Sequence, residues 1–345
     1  MAGISKTRQS SAQIGAFPTM FFQVSQTWAC PVSMEAIVYV IGAGGSGAAN
    51  GGYYDSSRNA RGGGAGGCAV SRLNLSAQNY TVTIGSGGQA VDGASAYNGN
   101  AGGNSVFSGT GITTMTANGG AGGTQSTSAQ NTTAGGGTAT GGNLMNNTGG
   151  GGGANSTATS RVSGGGGVNL YGSNCNGEGN QTTYAMGGSP LGNSMNDTGN
   201  GYGYNPSFYS SSTATSKNNR NNDLSVNFFP SLITHQSGVN RAGEGNDMNS
   251  SSYGAQAAVL ALSNFKGGDA RGSYANGYSL FNQAGPFCGG MGYARSHHNN
   301  GTCTGQAGGV GAGGGACHSI TSTGDAYSGS GGSGLIMIFP LEVRG

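Results

Sequence analysis

Gly42-Ala43-Gly44-Gly45-Ser46-Gly47 spells a GxGxxG block directly after a hydrophobic run, the pattern with which a strand-turn-helix unit cradles a dinucleotide pyrophosphate. That chemistry needs the third glycine to open an amphipathic helix and an acidic residue about 20 positions on. The chain continues instead as AANGGYYDSSRNARGGG, which has no helical period and leads to no second parallel strand. With 75 glycines among 345 residues, such a match arises by chance. Cys288, His297, His298, Cys303, Cys317 and His318 crowd one stretch and are of zinc-ligating types, but no CxxC or HxxxH spacing is present. Exposed histidines and buried, free cysteines are the expectation, and no metal or other cofactor is predicted. The acids Asp197, Asp223, Glu244, Asp247 and Asp269 form no short pair that would mark a glycosidase, and no GxSxG, P-loop or HExxH occurs. The residues predict a protein that is not an enzyme.

The Tyr/Asn/Ser-rich part offers a different chemistry. Tyr202, Tyr204, Phe208 and Tyr209 are rigid, amphipathic contact residues set among Asn, Ser and Gly, which supply adaptable hydrogen bonds. They are the candidate receptor-binding residues. The alternative is that these aromatics are packing material between thin glycine layers. A second apolar patch, Phe17, Met20, Phe21 and Phe22, lies in a Ser/Gln-rich start and is the candidate docking site of an N-terminal arm.

The elements that must position these residues are unusual. Charged residues make up 7% of the chain and hydrophobic residues 34%, against norms of about a quarter and nearly a half, so a conventional single-core enzyme domain is not expected. The low charge equally lacks the signature of solvated disorder. Net charge is +2 with the basic residues scattered in short pairs such as Arg58/Arg61 and Lys217/Arg220, which gives no track for nucleic acid. No run approaches the roughly 18 apolar residues of a membrane span, and no secretory leader pattern is seen. The six cysteines are unevenly spaced, which in a protein made in the cytosol predicts free thiols.

Strands are predicted at Glu35 to Ile41, Arg72 to Leu75, Tyr80 to Ile84, Ser105 to Phe107, Ile112 to Ala117, Ala255 to Leu262 and Leu335 to Phe339. The first and last of the strong runs are expected to pair or to pack in one sheet pair. Between them lie glycine runs such as 62–67, 119–123, 135–142, 149–153, 164–167 and 308–315. Lacking Cβ atoms, such runs can form polyglycine II helices of three residues per turn that bond laterally to one another, or they can form long ordered loops. The fold expected is all-β: a small antiparallel, jelly-roll-like β-sandwich from the strand-rich ends, with polyglycine II or loops and almost no α-helix. Residues 1–26 read as the docking arm, and 27–345 as a glycine-rich β domain with an aromatic insert at about 171–300.

Trp28-x-x-Pro31, the strand Ile37 to Ile41, the block Gly42 to Gly47, Gly62 to Gly67, Tyr80 to Gly88, Asn104 to Phe107, Gly119 to Gly123, Gly308 to Gly315 and Gly331 to Phe339 follow in an order that resembles the glycine-rich domain of bacteriophage tail-fibre and related virion proteins. The resemblance implies a virion protein made in the host cytoplasm: a tail-fibre or tail-associated adhesin, homotrimeric, bound to other virion proteins and touching a host surface glycan or protein, without nucleic acid or membrane insertion. The chain lacks the regular GGX array of the related polyglycine-tipped adhesins and carries a long aromatic insert. A capsid-decoration or tail-sheathing protein without a receptor role is the competing expectation. An ice-binding polyglycine protein, with a flat Thr/Ala/Ser face, is a third that the irregular glycine spacing disfavours.

Overall fold

The computed structural model describes residues 18–51, 58–93, 95–126, 132–155, 162–172, 303–319 and 325–343, with shorter pieces at 174–177, 179, 184–185, 187–188, 190, 194–195, 202–203, 284, 287–290 and 292–295. Among these residues there is no helix, and the elements are β-strands joined by extended glycine-rich segments.

Alternation of side chains builds the base of the molecule. In Met34–Ile41, Met34, Ala36, Val38 and Val40 are buried on one face while Glu35, Ile37 and Tyr39 point to the other. This strand pairs antiparallel with Leu335–Val343, in the register Leu335↔Ile41, and with Cys68–Leu75, in the register Ile41↔Cys68. The two strong apolar runs at opposite ends of the glycine-rich region are thus direct neighbours, as expected from the sequence. The first sheet is completed by Met20–Phe22 and Met145–Asn147 at its edges. A second antiparallel sheet orders Ala139–Thr140, Met115–Ala117, Ser105–Ser108, Asn79–Thr83 and Gln26–Ala29.

The two sheets close on a core that includes Met34, Val38, Val40, Tyr80, Val82, Phe107, Met115, Ile336 and Ile338. Tyr80 and Phe107 stack at 5.3 Å between ring centroids, with Trp28 5.7 Å from Tyr80. The Tyr80 hydroxyl accepts the Ser76 amide at 2.9 Å, so its ring is buried without stranding its polar end. Burying such a ring stabilises the fold by about 2–3 kcal/mol. Pro340, which has no N–H to donate, sits where the register of the last strand shifts.

The glycine runs do not wander over this sandwich; they continue its strands. Residues 42–48 donate their amides in a strict three-residue rotation. Gly42, Gly45 and Ala48 bond to the carbonyls of Gly67, Gly64 and Arg61; Ala43 and Ser46 to Gly103 and Asn100; Gly44 and Gly47 to Gly332 and Gly329. Its carbonyls are used in the same rotation, at Ala43 and Ser46 by Gly120 and Gly123, at Gly45 and Ala48 by Gly314 and Cys317, and at Gly44 by Gly88. One segment therefore bonds to six neighbours, three through its N–H groups and three through its C=O groups. Three residues per turn with lateral bonding in every direction is polyglycine II packing, which no two-sided β-strand can reproduce.

Residues 61–67 repeat the rotation. Arg61, Gly64 and Gly67 donate to Thr124, Ala121 and Asn118, and Gly63 and Gly66 to Gly314 and Gly311. Segments 311–316 and 162–168 fill further places in the same array. The lattice needs glycine because the backbones touch: a Cβ added at Gly44 would collide with the Ala312 carbonyl. Gly311 is required for a second reason, since its φ of 71° forms the turn where 305–309 passes into 311–316 beside Ile41 and Val168.

The lattice is attached to the outer face of the first sheet by a second apolar cluster, in which Ile41, Val70, Leu335 and Met337 meet Val168, Leu170, Phe287 and Ala312. Phe287 has a positive φ of 64°, rare for a bulky residue, and its buried ring holds that turn in place.

Candidate functional site

The far end of the lattice is finished by short strands. Segment 42–48 runs into Ala49–Asn50, 311–316 into Cys317–Ser319, and Asn59–Ala60 leads into 61–67. Ala49–Asn50 pairs with Cys317–Ser319 and with Ala96–Tyr97; Cys317–Ser319 pairs with Gly292–Arg295, and that strand with Tyr184–Ala185. Asn59–Ala60 pairs with Gln125–Ser126, and Cys303–Thr304 with Ala326–Tyr327. The stretches 52–57, 127–131, 156–161, 296–302 and 320–324 are all bounded by residues of this end, and their sequences are rich in Ser, Thr, Asn, Tyr and His. The described residues that flank these five stretches thus lie at the end of the lattice away from the sandwich.

This end is polar inside. Asn50 and His318 are buried, with the Asn50 Nδ2 at hydrogen-bond distance, 3.2 Å, from His318 Nδ1. Asn155 Nδ2 donates to the Ala60 carbonyl at 3.2 Å. Cys303 and Cys317 are joined in a disulfide. The expectation of free thiols is corrected for this pair, because the lattice stacks the strands that carry them side by side; Cys30, Cys68, Cys175 and Cys288 are buried outside any disulfide. Burial pushes the Cys68 thiol up to about 12, and raises Cys30 despite its bond to the Val32 carbonyl. No group of three metal-ligating side chains occurs among the described residues.

A second feature is a side face of the lattice built from segments 98–104, 118–124 and 132–138. Gly99 and Gly102 donate to Gly123 and Gly120, while Asn118 and Ala121 donate to Thr138 and Gly135, which aligns the three segments in register. Their outward residues form three rows: Asn98, Thr124, Thr132; then Ala101, Ala121, Gly135; then Asn104, Asn118, Thr138. All nine are exposed or half-exposed. Three residues of about 3.1 Å rise separate the rows by about 9 Å. The Asn98 Oδ1 accepts the Gln125 amide and the Asn104 Oδ1 accepts the Gly119 amide, which turns both Nδ2 groups outward as donors. Arg61, about nine-tenths buried, closes the first row by donating to Thr124 Oγ1 and to the Thr132 carbonyl. Desolvation lowers the pKa of its guanidinium.

The candidate residues fall as follows. The GxGxxG block, Gly42 to Gly47, is the centre of the lattice, and every one of its amides is already bonded to backbone, so it cannot cradle a phosphate. Met20, Phe21 and Phe22 form an edge strand of the chain's own first sheet, with Phe22 in the core and the Phe21 ring 6.4 Å from that of Phe339. Phe17 lies outside the described residues. Tyr202 pairs through its backbone with Met195 in a two-residue ladder, and its side chain, with Tyr204, Phe208 and Tyr209, lies outside the described residues. So do His297, His298, the five acids considered for catalysis and the Ala255 to Leu262 run. Phe287, late in the aromatic insert, is near the sandwich end of the lattice, where Val168 donates to its carbonyl at 2.8 Å. Sequence reasoning noted Arg61 only as half of a basic pair and missed the planar face. The signal for that face was the spacing of the non-glycine residues, Asn98/Ala101/Asn104 and Asn118/Ala121/Thr124, three apart.

A search of characterised proteins returns no match to the chain. The model of the glycine-rich domain matches residues 22–223, more than half of the chain, from the first edge strand through the lattice segments that precede the aromatic insert and into the insert itself. The chain belongs to the glycine-rich domain family.

Proposed function

We propose that the chain is a non-enzymatic attachment protein of a bacteriophage virion, a tail-fibre or tail-associated adhesin that contributes to host-surface binding. The observation that carries this reading is a backbone-bonded lattice with a compact sandwich at one end and, at the other, the residues that flank five stretches of Ser/Thr/Asn/Tyr-rich sequence. A lattice held by amide–carbonyl bonds in six directions is a stiff mount that places few demands on side chains, so the connections at its end can vary without disturbing it. The order of glycine blocks, which resembles that of virion glycine-rich domains, supplies the particle as context. In this reading the residues before the first edge strand join the chain to another virion protein, and three copies raise weak single contacts to useful avidity. Tyr202, Tyr204, Phe208 and Tyr209 are contact residues of the insert.

The test is binding of the purified chain to host cells, with a Tyr202/Tyr204/Tyr209→Ala variant and a variant with 52–57 and 320–324 replaced by Gly/Ser in parallel. Saturable binding by the wild type, reduced about tenfold or more in either folded variant, is expected. A folded wild type that assembles with itself or with other virion proteins but never binds cells overturns the attachment reading in favour of a decoration or sheathing role.

A further inference from the structure

The planar side face has a chemistry of its own. Its rows present Asn98 and Asn104 Nδ2 donors whose orientation is forced by the backbone amides their Oδ1 atoms accept. Between them lie Ala101, Ala121 and Gly135, which keep the surface low enough for an extended molecule to lie along it. At its end sits Arg61, about nine-tenths buried, whose acceptors among the described residues are the neutral Thr124 hydroxyl and the Thr132 carbonyl and hydroxyl. A buried cation held by neutral groups alone is costly, and a counter-charge repays the desolvation. Fixed donors in the first and third rows, with a guanidinium at the end of the first, suit an extended ligand rich in oxygen acceptors and carrying negative charge.

We propose that this face binds an acidic polysaccharide, with the sugar oxygens on the Asn98 and Asn104 amides and a carboxylate or phosphate of the polymer at Arg61. The proposal rests on the attachment reading for its setting, and it places a glycan subsite on the lattice itself rather than on the connections at its end. The row repeat of about 9 Å matches an elongated polymer better than a compact ligand, because successive rows can engage successive parts of the same chain.

The experiment uses the full chain and three probes: a polyuronate, the neutral polymer dextran, and inorganic sulfate compared with chloride at equal ionic strength. The informative variant is N98D/N104D. An aspartate oxygen still accepts the Gln125 and Gly119 amides, so the lattice is retained, while the outward donors are replaced by negative charge. The wild type is expected to bind the polyuronate at least about tenfold more tightly than dextran, to be stabilised by sulfate over chloride, and to lose affinity with added salt. N98D/N104D, with unchanged thermal stability, is expected to lose about tenfold or more in polyuronate affinity, and R61Q to lose the sulfate effect. Equal binding of polyuronate and dextran overturns the proposal, as does wild-type affinity in N98D/N104D. If sulfate has no effect on wild-type stability relative to chloride, Arg61 is neutralised within the chain and the proposal also falls. Host-cell binding without polyuronate binding leaves the attachment reading standing and this one refuted; polyuronate binding without cell binding does the reverse.

Discussion

The amide of Gly44 donates to the carbonyl of Gly332 at 2.9 Å, joining the first glycine run of the chain to the last. Next to it Gly45 reaches Gly64, and Ala43 reaches Gly103, so three successive residues bond to three different segments. The lattice is therefore assembled from pieces distant in sequence, with the sandwich strands that precede and follow them setting the register.

Close backbone approach makes glycine identity decisive at interior positions and irrelevant on the exposed rows. Gly44→Ala, whose methyl meets the Ala312 carbonyl, is expected to destabilise the chain by more than about 3 kcal/mol. At Gly135 an added Cβ meets nothing within 4 Å, so Gly135→Ala is expected to be neutral or to stabilise by roughly 0.4–1 kcal/mol. Denaturant melts of the two variants against wild type check the contrast.

The buried Cys68 thiol makes stability fall at alkaline pH. Its pKa is raised from 9.0 to about 12, so the unfolded chain releases this proton first and the folded state is unaffected below about pH 9. Between pH 9 and 12 the group is expected to cost up to about 1.4 kcal/mol per pH unit. A Cys68→Ala variant should show a flatter alkaline limb in a series of urea melts, and native wild type should resist alkylation at Cys68 at pH 8.

The Cys303–Cys317 disulfide closes a loop of sequence separation 14 at the connection-bearing end. Loop-closure entropy assigns such a bridge roughly 3 kcal/mol. Intact-mass measurement under non-reducing conditions should show one bond per chain, and a Cys303→Ala/Cys317→Ala variant should lose about that stability.

The sandwich was legible because its strands obey period-two burial. Met34–Ile41 and Leu335–Val343 are apolar, β-branched and bounded by glycine, and nothing local competes with strand formation. The predicted Arg72 to Leu75 strand begins earlier, at Cys68, because Ala69 and Val70 pair across to Val40 and Tyr39. Glycine content made polyglycine II conceivable, but the partner of each amide was not readable: nothing in Gly42-Ala43-Gly44 names Gly67, Gly103 and Gly332. The disulfide escaped for the same reason, since only the stacking of 303–304 beside 317–319 brings its cysteines together. The planar face was hidden in plain spacing, three apart, which reads as loop composition unless a three-residue turn is assumed. The aromatic residues proposed for receptor contact carry no periodicity, and their roles rest on residue type.

Site-resolved amide hydrogen exchange on the intact chain tests the lattice, on which every functional reading depends. The account predicts that the amides of Gly42 to Ala48 and of Arg61 and Gly63 to Gly67 exchange as slowly as those of Met34–Ile41, because each is bonded within the array. Exchange of these glycine amides within seconds, beside slow exchange in the sandwich strands, would show that the runs are loops and would contradict the account.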